Sequence, residues 1–248
     1  MTTTTNFALL HGGGQGGWVW DETVAALERQ GGDAVRVIAF DLPGCGAKRG
    51  QDTSKLTVRD VAAAFVADLE ASGMREIVLV GHSNAGTILP LVAELRPDLI
   101  RRYVYVSCIA PPPGVSIWDM KMAHRDASGG EGGGVSGGRL REMFANDMDP
   151  AYADAFMAKL GQDRWPTLEV LHESAWRYDH LAGKPSTFVI CLQDRAETPE
   201  AQEQSAALFQ VQRRVRIDAG HQAMNTRPEA LAEILLHEAR VENAAAPG

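Results

Sequence analysis

The chain of 248 residues predicts a three-layer α/β sandwich, a mostly parallel sheet of about six strands between two helical layers, with a helical lid inserted between the fourth and fifth strands. Three observations carry this. Short apolar runs rich in Val and Ile read as strands covered on both faces. Helical patterns lie between them, and strand–helix–strand alternation demands parallel pairing with right-handed crossovers. The alternation then fails over one continuous stretch, which marks an insertion.

Phe7–Leu10 and Val35–Phe40 are the first two strand candidates. Thr57 and Asp60 then form a capping-box pair, and Val58, Val61, Ala62, Phe65 and Leu69 follow on one helical stripe. Ile77–Val80 is the third strand, trailed by Thr87, Ile88, Leu91, Val92 and Leu95 at helical spacing, and Tyr103–Cys108 is the fourth. From about Ala110 to Lys184 the pattern changes. Pro111, Pro112 and Pro113 open this stretch, and the glycine-rich run from Ser128 to Gly138 buries too little apolar surface to offset its backbone entropy, which predicts a mobile segment. Helical patterns return at Pro150 to Leu160 and at Leu168 to Trp176, and the stretch carries Phe144, Phe156, Trp165 and Trp176. Such an insertion is expected to pack on the sheet's edge. Because ligands in open α/β sheets lie at the carboxyl ends of the strands, residues 111–183 read as a lid, with 1–110 and 184–248 as the core of a single domain. The insertion's tryptophans read as packing between lid and core rather than as substrate platforms. Thr187–Leu192 and Val215–Ile217 complete the sheet, and Gln212, Arg213 and Arg214 read as a solvated approach to the last strand. Pro228 opens a final helix with Leu231, Ile234 and Leu235 on its apolar stripe.

Composition narrows the function. With 24 Lys and Arg against 32 Asp and Glu, the formal charge is −8, which repels nucleic-acid backbones and anionic membrane surfaces. Cys45, Cys108 and Cys191 are too few and too scattered for a disulfide framework or a zinc site, and read as buried free thiols. Phe7–Leu10 is too short for a signal peptide, and no segment reaches the roughly 20 apolar residues of a membrane span. The expectation is a cytoplasmic protein, monomer or homodimer, that takes a small uncharged molecule and needs no cofactor or metal.

The strongest chemical signal is Val78-Leu79-Val80-Gly81-His82-Ser83-Asn84-Ala85-Gly86. An apolar strand runs into a turn so tight that only small residues fit two positions either side of Ser83, here Gly81 and Ala85, and a helix follows. The strained turn presents the hydroxyl outward. A serine hydroxyl is a weak nucleophile without a base. Of the seven histidines, His11 sits in a glycine-rich loop, His82 lies within the turn with its ring beneath it, and His124, His172 and His180 belong to the insertion. His237 is on the charged part of the last helix, which leaves His221, just past the last strand, as the base. Asp194, at the end of the fifth strand, is the favoured carboxylate to orient it. Glu197 competes, and Asp218 shares the loop of the histidine and reaches behind its ring with difficulty. The loop His11-Gly12-Gly13-Gly14-Gln15-Gly16-Gly17-Trp18 offers backbone N–H groups, and those of Gly13 and Asn84 are the candidate donors to a developing oxyanion. The loop lacks the Lys-Ser/Thr ending of a phosphate-binding loop and the spacing of a dinucleotide fingerprint. His172-Glu173 begins like a zinc-protease helix, but the second histidine is missing.

Together, HGGGQGGWVW, DLPGCG (Asp41 to Gly46), GHSNAG, the Asp194-Arg195 turn and AGHQAM resemble the α/β-hydrolase superfamily over nearly the whole chain outside the insertion. The likeness is closest to the plant methylesterase and hydroxynitrile lyase-like group of small serine esterases. The chain order Ser83, Asp194, His221 is that of the superfamily. The resemblance implies carboxylesterase chemistry on a small, often aromatic ester. The lyases of the group carry a threonine after the loop histidine and a lysine after the catalytic histidine; Gly12 and Gln222 stand at those places here. Hydrolysis is therefore expected over the alternatives of a lyase, a C–C bond hydrolase or a non-catalytic small-ligand receptor.

Overall fold

The six apolar runs form one parallel sheet in the computed structural model, which describes residues 4–127 and 137–241. The strands are β1 (Thr5–Leu10), β2 (Val35–Phe40), β3 (Ile77–His82), β4 (Ile100–Val106), β5 (Ser186–Cys191) and β6 (Arg213–Ile217), in the order β2-β1-β3-β4-β5-β6. The chain leaves β1 in one direction and β3 in the other, so the order reverses between them. In open α/β sheets such a reversal is where two loops diverge outside the carboxyl ends of the strands and a ligand crevice forms. β3 is buried along its full length, as a strand covered by helices on both faces must be. β6 is an edge strand, and it begins at Arg213, earlier than the apolar run suggests. Its arginines are paired: Arg213 with Glu238 at 3.1 Å, Arg214 with Glu203 at 3.0 Å and Arg216 with Glu203 at 2.7 Å. Charge along an edge strand blocks pairing with another chain.

The helices follow their local signals. They are α1 (Asp21–Gly31), α2 (Val58–Ala71), α3 (Leu89–Leu95), α4 (Ile117–Ala127), α5 (Gly137–Ala145), α6 (Pro150–Lys159), α7 (Leu168–His172), α8 (Pro199–Leu208), α9 (Ala223–Thr226) and α10 (Pro228–Arg240). The Thr57 hydroxyl accepts from the Asp60 N–H at 3.2 Å, and the Thr57 N–H donates to the Asp60 carboxylate at 2.9 Å. The capping box is thus complete. One apolar cluster, around Phe65, Leu79, Tyr105 and Phe209, fills one side of the sheet; the other, around Trp20, Val80, Val104 and Leu231, fills the opposite side.

The insertion departs from expectation in two respects. β4 and β5 are neighbours inside the sheet, so the intervening chain rises from the carboxyl ends rather than from a lateral edge. It packs against both clusters, with Trp165 and Trp176 in one and Phe156 in the other. The helix expected to reach Trp176 stops at His172. Glu173 is extended there, and its carboxylate accepts from the N–H groups of Ser174 and Ala175 at 2.8 and 2.7 Å. This local turn takes the donors a further helical turn would need. Trp176 is instead buried and donates to the Val115 carbonyl at 3.0 Å. Trp118, on α4, is 43% exposed and does not join the core. Of the glycine-rich run predicted to be mobile, residues 128–136 lie outside the described residues.

Candidate active site

Three strand ends and one loop converge at the crevice. Ser83 follows β3 in the left-handed region (φ 53°). Glycine ordinarily holds that conformation, and a serine held there is strained. The neighbours explain why the turn accepts only small residues. A Cβ on Gly81 would come within 2.8 Å of a Leu89 methyl, and one on Gly86 would collide with the carbonyl oxygen of Ile109. The short 3₁₀ turn Ser83–Thr87 then feeds α3.

His221 lies past β6, and its ring bridges the other two groups. The Ser83 hydroxyl donates to Nε2 at 3.1 Å, and Nδ1–H donates to Asp194 Oδ2 at 2.7 Å. All three side chains are buried. Asp194 has every lone-pair direction occupied. Oδ1 accepts from the N–H groups of Ala196 and Glu197 at 2.8 and 2.9 Å, and Oδ2 also accepts from the Ser107 hydroxyl. Glu197, the competing acid, thus supplies a backbone donor to Asp194, while Asp218 accepts from Gln193 on the surface at 2.6 Å. Burial opposes the charged imidazole of His221, but the charge and hydrogen bond of Asp194, with Glu197 adding to them, outweigh it. The ring is therefore held above the ordinary histidine value.

Ser107 is the site residue that sequence reasoning missed. It follows β4 directly at φ 44°, is fully buried, and its hydroxyl lies 3.4 Å from His221 Nδ1 as well as against Asp194. No motif surrounds it.

The other buried histidines are tied elsewhere. His11 Nδ1–H donates to the Gly12 carbonyl at 2.8 Å, and Nε2 accepts from the Leu42 N–H at 3.2 Å. The His82 ring lies beneath the turn, edge-on to Trp20, and its Nε2–H donates to the His221 carbonyl at 2.9 Å. Burial lowers both, His82 further because His221 stands beside it. Burial also pushes the Cys45 thiol up to about 12 and raises Cys108 and Cys191, so none of the three is a thiolate nucleophile.

Gly12 and Gly13 pass directly over the turn. Gln15 Oε1 accepts from the Gly12 N–H at 3.2 Å, which fixes the loop from below. A Cβ on Gly12 would come within 2.8 Å of His82 Nδ1 and 2.9 Å of Ser83 Cβ, and one on Gly13 would collide with the Asn84 carboxamide. The insertion is stitched to this loop: Gly14 N–H donates to the Trp165 carbonyl at 2.7 Å, and Gly161 N–H donates to the Gly14 carbonyl at 2.8 Å. Asp163 reinforces the seam by accepting from Trp18 Nε1 at 3.1 Å and from the Gly46 N–H at 2.8 Å. Among the described residues no group of three or more His, Cys, Asp or Glu is arranged to hold a metal ion. No helix among them is long and apolar enough to cross a membrane.

Comparison with known proteins adds relatives to this geometry. A model of the alpha/beta hydrolase family matches residues 7–234. The carbendazim hydrolyzing esterase of Nocardioides sp. (strain SG-4G) is 27% identical across 93% of this chain and 98% of its own length. The putative methylesterase 11 of Arabidopsis thaliana is 25% identical across 97% of this chain, which spans 65% of that relative's length. Among solved structures, an extracellular alpha/beta-hydrolase from a Paenibacillus species superposes with a TM-score of 0.80 at 22% identity, covering 96% of this chain and 100% of that one. Polyneuridine aldehyde esterase superposes with a TM-score of 0.74 at 18% identity, covering 95% of this chain and 99% of its own.

Proposed function

The chain belongs to the alpha/beta hydrolase family, and from that premise we propose that it is a cofactor-independent serine esterase acting on a small, uncharged carboxylic ester. The carrying observation is the His221 ring, with Nε2 at 3.1 Å from the Ser83 hydroxyl and Nδ1 at 2.7 Å from Asp194.

In this reading Ser83 Oγ attacks the ester carbonyl carbon while His221 Nε2 takes its proton. The charge that develops on the carbonyl oxygen is met by the N–H groups of Gly13 and Asn84, each donor worth a factor on the order of 10²–10³ in rate. The imidazolium, held by Asp194, returns the proton to the departing alkoxide, and the alcohol leaves. Water then attacks the acyl-enzyme by the same route in reverse roles and releases the acid. The described part of the insertion lies against the site, with Phe144 edge-on to His221 at 5.2 Å and the seam at Gly14 on one side. The relatives' names, an esterase and a putative methylesterase, support ester chemistry. Against a lyase stand positions 12 and 222, where Gly12 and Gln222 replace the threonine and lysine of the lyases, and a Cβ at position 12 would come within 2.8 Å of His82 Nδ1.

The test is Ser83→Ala assayed on p-nitrophenyl acetate, with fluorophosphonate labelling of the parent. The variant folds as the parent does and loses on the order of 10⁴–10⁶ in kcat. Ordinary turnover by the alanine variant would refute the mechanism. Tight ester binding with no turnover by the parent would make the protein a receptor.

A further inference from the structure

Two consecutive residues of the insertion grip the two loops that carry Asp194 and His221. Asn146 Nδ2 donates to the carbonyl of Gln193, the residue before Asp194, at 2.9 Å. Asp147 Oδ2 accepts from the N–H of Gly220, the residue before His221, at 2.8 Å, and from the Thr226 hydroxyl at 2.7 Å. Both residues lie just past α5, whose Phe144 ring meets His221. The Asp147 side chain is only 5% exposed, and its nearest cation, Arg227 Nη1, is 3.8 Å away. Burying a carboxylate is costly unless it is well bonded. Here Oδ2 carries both of its bonds, one to the loop of His221 and one to Thr226 of α9, while Oδ1 has no hydrogen-bond partner among the described residues. The fit is close, because a Cβ on Gly220 would collide with the Asp147 carboxylate and the Asn146 carboxamide oxygen. At this level the two loops share a direct backbone bond, Gln193 N–H to the Ala219 carbonyl at 2.9 Å. The Asn146–Asp147 pair adds a second span across them.

We propose that Asn146 and Asp147 are positioning residues that set the spacing between the acid loop and the base loop, so that the insertion builds the site it covers. This rests on the reading of Ser83, Asp194 and His221 as a triad. Neither residue touches the reacting atoms; each acts through the residue preceding a triad member. The spacing matters because proton transfer falls steeply with misalignment, a displacement of about 1 Å costing on the order of 100-fold.

The full-length chain is assayed with p-nitrophenyl acetate, and kcat is expressed per site titrated by a fluorophosphonate. Asp147→Ala lowers kcat per titrated site about 10- to 100-fold while KM stays within about threefold. Asp147→Asn, which keeps an oxygen facing Gly220, recovers to within about fivefold of the parent. Unchanged kcat per site in Asp147→Ala overturns the proposal, as does a loss confined to the number of titratable sites, which is what a merely structural role produces. Should Asp147→Ala not fold, Asn146→Ala and Thr226→Val each remove one anchor and are read the same way. A second readout needs no turnover: the strongly deshielded proton between His221 Nδ1 and Asp194, followed by proton NMR. In Asp147→Ala it shifts upfield and broadens. If the parent neither labels nor turns over ester, the triad reading fails on its own, and an unmoved proton in Asp147→Ala then separately overturns the clamp.

Discussion

Replacing Asp194 with asparagine changes one atom and, by the geometry of the site, reverses the polarity of the histidine. The carboxylate satisfies two main-chain donors through Oδ1, at 2.8 and 2.9 Å, and the His221 ring through Oδ2, at 2.7 Å. Asparagine has a single oxygen. The N–H groups of Ala196 and Glu197 cannot rotate away, so that oxygen must face them, and the new NH₂ faces His221. The ring then presents a lone pair at Nδ1 and carries its proton on Nε2, opposite the Ser83 hydroxyl at 3.1 Å. A protonated Nε2 cannot accept the hydroxyl proton. The expected loss in kcat is on the order of 10⁴, equivalent to about 5.5 kcal/mol in the barrier. The assay is kcat/KM for p-nitrophenyl acetate against pH, with sites titrated by a fluorophosphonate. In the parent, activity falls as pH drops through the His221 pKa, which Asp194 holds above 6.5 against the effect of burial. The same shift contributes folding stability that is full below the unfolded value and is lost as pH rises through the folded one. In Asp194→Asn burial remains and the charge is gone, so the acid limb moves to lower pH. Activity within tenfold of the parent, or an unmoved limb, would refute this reasoning.

Two further substitutions test the framework. Gly86→Ala places a methyl group against the Ile109 carbonyl and 3.1 Å from Cys108 Cβ, and is expected to lower stability by about 1–3 kcal/mol; a melting temperature equal to the parent's contradicts it. Thr57→Ala removes the oxygen that accepts from the Asp60 N–H at 3.2 Å and should cost about 1 kcal/mol, seen as a lower urea midpoint at unchanged m-value with the esterase kinetics intact.

The features legible in the sequence were those whose causes are local. Six apolar runs, the Thr57–Asp60 box and the small residues flanking Ser83 each state their conformation within a few positions, and the structure places all of them. Asp194 and His221 can be named as candidates from the sequence because each follows a strand of the same sheet, so that topology alone brings their loops together. Ser107 was not found, because its role exists only through Asp194, 87 positions away, and a serine at the end of a buried strand has no local signature. Asn146 and Asp147 were silent for the same reason, their partners lying 47 and 73 positions on. The helix expected through Trp176 failed for the opposite cause. Its apolar spacing was sound, but the Glu173 carboxylate offered the next N–H groups a nearer acceptor.

Three imidazoles lie buried around the turn, and their surroundings decide which one can work as a base. His11 accepts from Leu42 and donates to Gly12, a pattern only the neutral ring can complete. Among the described residues no carboxylate acts on His82, and its ring centre is 4.6 Å from that of His221. Two unit charges at that separation repel by about 3–4 kcal/mol at an effective dielectric near 20. The pocket therefore admits one positive charge, and Asp194 assigns it to His221. A neutral His82 has its own use, since its Nε2–H holds the His221 carbonyl and ties the base loop to the strand that carries Ser83. The turn and the base loop are thereby a single unit, and Asp194→Asn leaves that unit standing while removing the main charge that favours a proton on His221, Glu197 being the lesser one.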